Sequence, residues 1–151
     1  MSPLQSLGNG TETFAQYFSI PATAIEDPAV FATRSLPDWW KQTRQEIEQL
    51  RDLEENWDSY DAYPIHAVSI NFALWSMEYL AGFVGVTQPT IGATPAGQVG
   101  LSWDVGDWSL DATIREDGSI QYVYLNESDH SRDVEKTTSN VGELVEFLTG
   151  W

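Results

Sequence analysis

Asp58, Asp61 and His66 are the side chains in this sequence that come nearest to a metal-ligand set. Carboxylate oxygens and an imidazole nitrogen can share a divalent ion. Their spacing lacks the alternating acids and the bidentate glutamate of a calcium loop. Capping and solvation of a turn account for the same two acids. A second cluster, Trp103, Asp104, Asp107 and Trp108, combines carboxylates with large aromatics. Carbohydrate-active proteins use that combination, acids flanking the bond to be cleaved and rings stacking on sugars. Trp103 and Trp108 also fit the apolar phase of two paired strands, so core packing competes with a sugar platform. Cysteine is absent, which excludes disulfides, thiolate nucleophiles, zinc–thiolate sites and iron–sulfur clusters. Of the two histidines, His66 falls in the first turn of an expected helix, where the dipole opposes positive charge, and His130 lies in a polar stretch. No nucleophile elbow, phosphate-binding loop, dinucleotide glycine pattern or His-Glu-x-x-His motif occurs. We expect no catalytic residue, no metal and no cofactor.

The more informative segment is Leu53-Glu54-Glu55-Asn56-Trp57-Asp58-Ser59-Tyr60-Asp61-Ala62-Tyr63-Pro64-Ile65. No Lys or Arg occurs from Asp52 through Ile114, a span with nine Asp or Glu. The whole chain carries 23 acids against 7 bases, for a formal charge of −16. Such a surface repels nucleic acid and anionic membranes and accelerates encounter with basic surfaces. Direct nucleic-acid binding is disfavoured, because no basic patch is present to neutralise phosphates. The plain alternative is an acidic, well-solvated surface with no dedicated partner. A contact surface would consist of Glu54, Glu55, Asp58, Tyr60 and Asp61, extended by Asp104 and Asp107. Tyr and Trp are favoured interface anchors. Trp57 is expected to fix the corner from inside, whereas Tyr60 divides evenly between the interior and a contact role. The partner would be a basic toxin, nuclease or defence protein, bound by a non-catalytic inhibitor whose carboxylates can mimic backbone phosphates.

The elements positioning these residues follow from periodicity. With 151 residues, 42% of them hydrophobic, one domain with its own core is expected. Residues 1–35 read as an arm with a short helix over 11–18, in which Phe14, Tyr17 and Phe18 share one face. This arm docks on its own domain or on a twin subunit, so a homodimer through it stays open. Residues 36–151 form the domain. A first helix is capped by Ser35, carries Pro37 and Asp38 in its first turn and runs to Glu55, with Trp40, Ile47, Leu50 and Leu53 as its stripe. A second begins at Pro64, with Asp61 as its cap, and ends at Gly82 and Gly85. It is apolar on more than one face, which predicts a central position. Strands are expected at 90–94, 99–103, 108–114 and 120–125, with turns at 104–107 and at Asp117-Gly118. Residues 126–139 read as a polar excursion and 140–148 as a closing helix, after which Trp151 tucks in or faces a partner. The fold class is α+β: two packed helices, a three- to four-stranded antiparallel meander and a C-terminal helix. No apolar run spans a membrane, and the N-terminus lacks a secretory pattern, so a cytoplasmic protein is expected.

The corner resembles a recurrent pattern in small bacterial and phage proteins, Asn-Trp-Asp-x-Tyr-Gly-Ala followed by Pro-Ile and a helix. Here the matching residues are Asn56, Trp57, Asp58, Tyr60, Asp61, Ala62, Pro64 and Ile65, with Asp61 where the pattern has glycine. Pro89-Thr90-Ile91, the stretch Gly97 to Trp103 and Asp117-Gly118 are similar to the meander of the same group. The likeness spans roughly Leu50 to Tyr124. It implies this fold and a microbial or mobile-element setting, and it carries no functional residue.

Overall fold

Alternating apolar residues from Val99 to Tyr124 build the centre of the protein. In the computed structural model, residues 36–150 are described. They contain five strands, β1 (Thr90–Ala93), β2 (Val99–Val105), β3 (Trp108–Ile114), β4 (Ile120–Asn126) and β5 (Val134–Thr138), and three α-helices, α1 (Trp40–Gln49), α2 (Ala67–Ala81) and α3 (Glu143–Thr149). The strands form one antiparallel sheet in the order β1-β2-β3-β4-β5. The fold is α+β.

The register aligns the apolar phase into cross-strand rows. Val99 faces Ile114, which faces Ile120; Leu101, Ala112 and Tyr122 form a second row, and Trp103, Leu110 and Tyr124 a third. All nine are buried. Alternation sends their neighbours to the opposite face, where Asp104, Asp111, Gln121 and Leu125 are exposed. α2 packs against α1 and against β2 and β3, burying Ile70, Phe72, Ala73, Met77 and Leu80. Its apolar character all round follows from that central position. α3 covers the β4 end of the same inner face, with Phe147 set 5.6 Å from Tyr122 and 4.7 Å from Tyr124 between ring centroids.

Several boundaries differ from the sequence expectation. α1 ends at Gln49 in a 3-10 turn over Leu50–Asp52, and Leu53 is already extended, so the first helix stops short of Glu55. α2 starts at Ala67, and His66 at its N-cap makes no side-chain capping bond. Pro64 is therefore outside the helix and Asp61 does not cap it. The reason is tertiary: the N–H of Tyr63 donates to Pro95 O at 2.9 Å and that of His66 to Gly97 O at 2.8 Å. These bonds tie residues 63–66 to the β1–β2 turn before the helix begins. α3 begins at Glu143 rather than at residue 140; Asn140 Oδ1 instead accepts the Gly142 N–H at 2.9 Å. A fifth strand, β5, emerges from the stretch read as an excursion. It is an edge strand, and its polar sequence Val-Glu-Lys-Thr-Thr suits one. Among the described residues, no helix is long and apolar enough to cross a membrane. Ser35, the arm with its helix expected over 11–18 and Trp151 lie outside the described residues.

Candidate functional site

The acidic corner is a closed loop held by its own polar groups. Asn56, Ser59 and Asp61 all take positive φ, at 63°, 68° and 65°. Asn and Asp tolerate this region because a short polar side chain can bond nearby backbone. Asn56 does so: its Oδ1 accepts the Asp61 N–H at 2.8 Å. Its own N–H donates to Ala62 O at 2.7 Å, and Ser59 N–H donates to Asn56 O at 3.1 Å. Asp61 thus adopts a left-handed conformation in spite of its side chain. Asp58 Oδ1 accepts two backbone donors, Tyr60 N–H at 2.7 Å and Ala62 N–H at 3.1 Å. Trp57 Nε1 donates to Tyr63 O at 2.8 Å while its ring packs on the core. Trp57 therefore fixes the corner from inside.

The loop docks on the β1–β2 turn through the two backbone bonds to Pro95 and Gly97, and Ala62 and Ile65 within it are buried. Gly97 is required there. It has φ 83°, and a Cβ would lie 2.6 Å from Pro64 O and 3.0 Å from His66 Cδ2. On the same turn, Gln98 Nε2 donates to Glu116 Oε2 at 2.8 Å, which holds the Glu116 carboxyl below its usual range. What the loop leaves in water is aromatic and acidic. Tyr60 is 86% exposed and Tyr63 64% exposed, and Glu54, Glu55 and Asp61 are exposed beside them in sequence. Among the described residues none of these three acids forms an ion pair; the salt bridges join Arg51 to Glu48, His130 to Asp133 and Lys136 to Glu143.

Asp104 and Asp107 belong elsewhere. The corner docks where β2 begins, at residues 94–98, whereas Asp104 and Asp107 lie at the far end of β2 and in the turn beyond it. Five residue steps at about 3.3 Å each carry β2 roughly 17 Å from Val99 to Asp104. Asp107 Oδ2 accepts the Ser128 hydroxyl, and its carbonyl accepts Glu127 N–H at 2.7 Å. Asp104 and Asp107 thus sit at the opposite end of β2 from the turn that holds the corner.

The structure separates the two sets of candidates for chemistry read from the sequence, Asp58, Asp61 and His66 on one hand and the Trp103–Trp108 hairpin on the other. Asp58 is turned into its own loop, and among the described residues no group of three or more His, Asp or Glu is placed to hold a metal ion. Trp103 is in the core, its Nε1 donating to Thr87 O at 2.8 Å. Trp108 is half-buried against Tyr124, ring centroids 6.0 Å apart. Trp108 and Asp107 line an open cavity of about 280 Å³ together with Tyr124, Asn126 and Asp129, whereas Trp103 is closed off in the core. Tyr63, exposed beside Tyr60, was not among the contact residues expected from the sequence. No family model, no curated protein and no solved structure matches this chain.

Proposed function

We propose that this protein is a non-catalytic, cytoplasmic binding protein whose acidic corner captures and inhibits a basic protein partner. Antitoxins, immunity proteins and phage anti-defence inhibitors work in this way against toxins, nucleases and defence proteins. In the nucleic-acid-mimic form of this reading, the carboxylates stand where backbone phosphates would. One observation carries the proposal. Tyr60 and Tyr63 hold their rings in water on a backbone fixed by hydrogen bonds, next to acids that no local base neutralises. A pre-set loop loses little conformational freedom on binding, and exposed tyrosines supply contact area with a polar tip. Asp58 contributes by shaping the loop, whereas Glu54, Glu55 and Asp61 supply the field that steers a cationic partner.

The test is an affinity pull-down from the native host, washed at low and moderate salt, with wild type beside a Glu54→Lys, Glu55→Lys, Tyr60→Ala variant. The expected result is a basic protein retained at low salt by wild type, shed as salt rises and not retained by the variant. Equal retention by both would remove the corner as the binding surface.

A further inference from the structure

Pro89 and Pro95 bound the short run that forms β1, Thr90-Ile91-Gly92-Ala93. β1 is one edge of the sheet and β5 is the other. Edge strands present unpaired backbone donors and acceptors, and proteins commonly protect them with charged side chains. β5 follows that rule with Glu135 and Lys136, both exposed. β1 carries no charge at all.

The β1–β2 hairpin fixes which backbone groups of β1 are left over. Its turn closes with Gly97 N–H donating to Thr94 O and Thr94 N–H to Gln98 O, both at 2.9 Å. Hydrogen-bonded and non-hydrogen-bonded pairs alternate from there along an antiparallel ladder. Gly92 and Thr90 therefore bond to Gly100 and Ser102, whereas Ile91 and Ala93 turn their N–H and C=O groups to the open edge. Among the described residues, no backbone bond outside the sheet uses those groups. Thr90 and Gly92 are exposed and Ile91 and Ala93 half-buried, so water reaches the strand. Two residues beyond Ala93, Pro95 O accepts the Tyr63 N–H at 2.9 Å. The backbone of the corner is thus paired to the residue that continues this edge, and the exposed Tyr63 flanks the open groups.

The surrounding charge decides what this edge accepts. No Lys or Arg occurs from Asp52 through Ile114, a span that contains the corner, β1 and β2. A second copy of the chain would bring another formal charge of −16, and like charges oppose that pairing. We infer that β1 receives an extended, lysine- or arginine-bearing segment of the basic partner as a sixth strand. Main-chain bonds to Ile91 and Ala93 hold it, and the corner acids at the end of the edge attract its charges. The inference rests on the corner being the surface that meets that partner. Strand addition takes affinity from main-chain bonds and selectivity from alternate side chains, and both are present here.

The experiment uses the full chain, isotope-labelled, with the peptide Lys-Val-Lys-Val-Lys-Val blocked at both ends. Amide hydrogen exchange reads the edge one residue at a time. In the free chain, the Ile91 and Ala93 amides should exchange faster than those of Thr90 and Gly92. Peptide at about nine-tenths saturation should slow Ile91 and Ala93 by about tenfold and shift the corner amides of Tyr60 and Asp61. Ala93→Pro removes an N–H that β2 does not use, so its thermal midpoint should stay near that of wild type. Its peptide affinity should fall by about tenfold, the scale of one main-chain bond. An analogue N-methylated throughout keeps the charge but has no backbone donor. It should fail to bind wild type, which supplies a test even if the proline variant folds poorly. Corner amides that shift while Ile91 and Ala93 keep their free rates, or equal binding by the methylated analogue, would overturn the inference and leave the corner reading intact. Slowed edge amides beside a silent corner would keep the strand addition and remove the corner reading. Equal slowing by Gln-Val-Gln-Val-Gln-Val would overturn the assignment of a basic segment. Slow exchange of Ile91 and Ala93 in the free chain would show the edge already covered and sink the inference outright.

Discussion

Asp58 and Asp61 carry the same charge, yet their environments give them opposite consequences when they are changed. Asp58 Oδ1 holds the N–H groups of Tyr60 and Ala62. Asp58→Ala removes both bonds and leaves the exposed Tyr60 N–H to water, so it should cost about 0.5–1.5 kcal/mol, read as a lower urea midpoint. An unchanged midpoint would mean that this carboxylate does not hold the corner closed. Asp61, at φ 65°, pays for a conformation that glycine adopts freely. Asp61→Gly should therefore stabilise by up to about 1 kcal/mol. A titrating pair anchors α3. Partial burial pushes the Glu143 carboxyl up, but hydrogen bonds from Thr138 Oγ1 and Lys136 Nζ outweigh it and hold the group below its ordinary value. A lowered folded value stabilises above the unfolded pKa of about 4.3 and is lost as pH falls through the folded one. Acid unfolding of wild type should steepen below about pH 4, and Glu143→Gln should flatten that limb. Tyr122 behaves in the opposite sense. Burial first, then Glu143, push its phenol up to about 12. Its contribution is complete below the unfolded pKa of about 10 and disappears as pH rises through the folded one.

Among elements, the joint between the corner and the β1–β2 turn carries the sharpest mutational expectation. Gly97→Ala combines a positive φ with a Cβ 2.6 Å from a backbone oxygen that has little room to move. A loss of about 2–4 kcal/mol in thermal or urea unfolding is expected. Gly118→Ala meets the ring of Phe72 instead, a side chain that can yield, so its cost should be smaller. The same joint explains what sequence could show and what it could not. The strands from Val99 to Leu125 were legible because their inner face is apolar and their outer face polar, a period of two that no helix shares. The centrality of α2 was legible from its all-round apolarity. Its start was not, since the N–H groups of Tyr63 and His66 bond to a turn far along the chain, and local signals carry no trace of that. β5 escaped because its inward positions are Val134, Lys136 and Thr138, of which one is apolar, and that leaves no hydrophobic alternation to read. At the site, Trp57 was placed from its apolar character. The inward turn of Asp58 depends on a loop closure that no spacing rule encodes.

At the scale of the whole molecule, charge sets two salt dependences of opposite sign. A formal charge of −16 means that like charges repel across the folded surface more than across an expanded chain. Screening shortens from roughly 10 Å at 0.1 M salt to 3 Å at 1 M, so added sodium chloride should relieve that repulsion and raise the thermal midpoint. Ion pairs lost to screening act against this, but the described residues contain three, all surface contacts. Such pairs contribute about 0–1 kcal/mol each, too little to reverse the sign. Association with a basic partner should respond the other way, because the field that destabilises the fold also steers the encounter, and screening slows it. Melting curves and association rates measured over the same salt series separate the two effects. A midpoint that fell with salt would show local pairing to dominate the energetics, and the uncompensated corner would lose its standing as an attractive surface. A midpoint that rose while the association rate stayed flat would keep the repulsion and place the contact away from Glu54, Glu55 and Asp61. Only a rise in stability together with a fall in rate assigns both consequences to one field, with the fold giving up stability at low salt so that its acidic face stays unpaired for a partner.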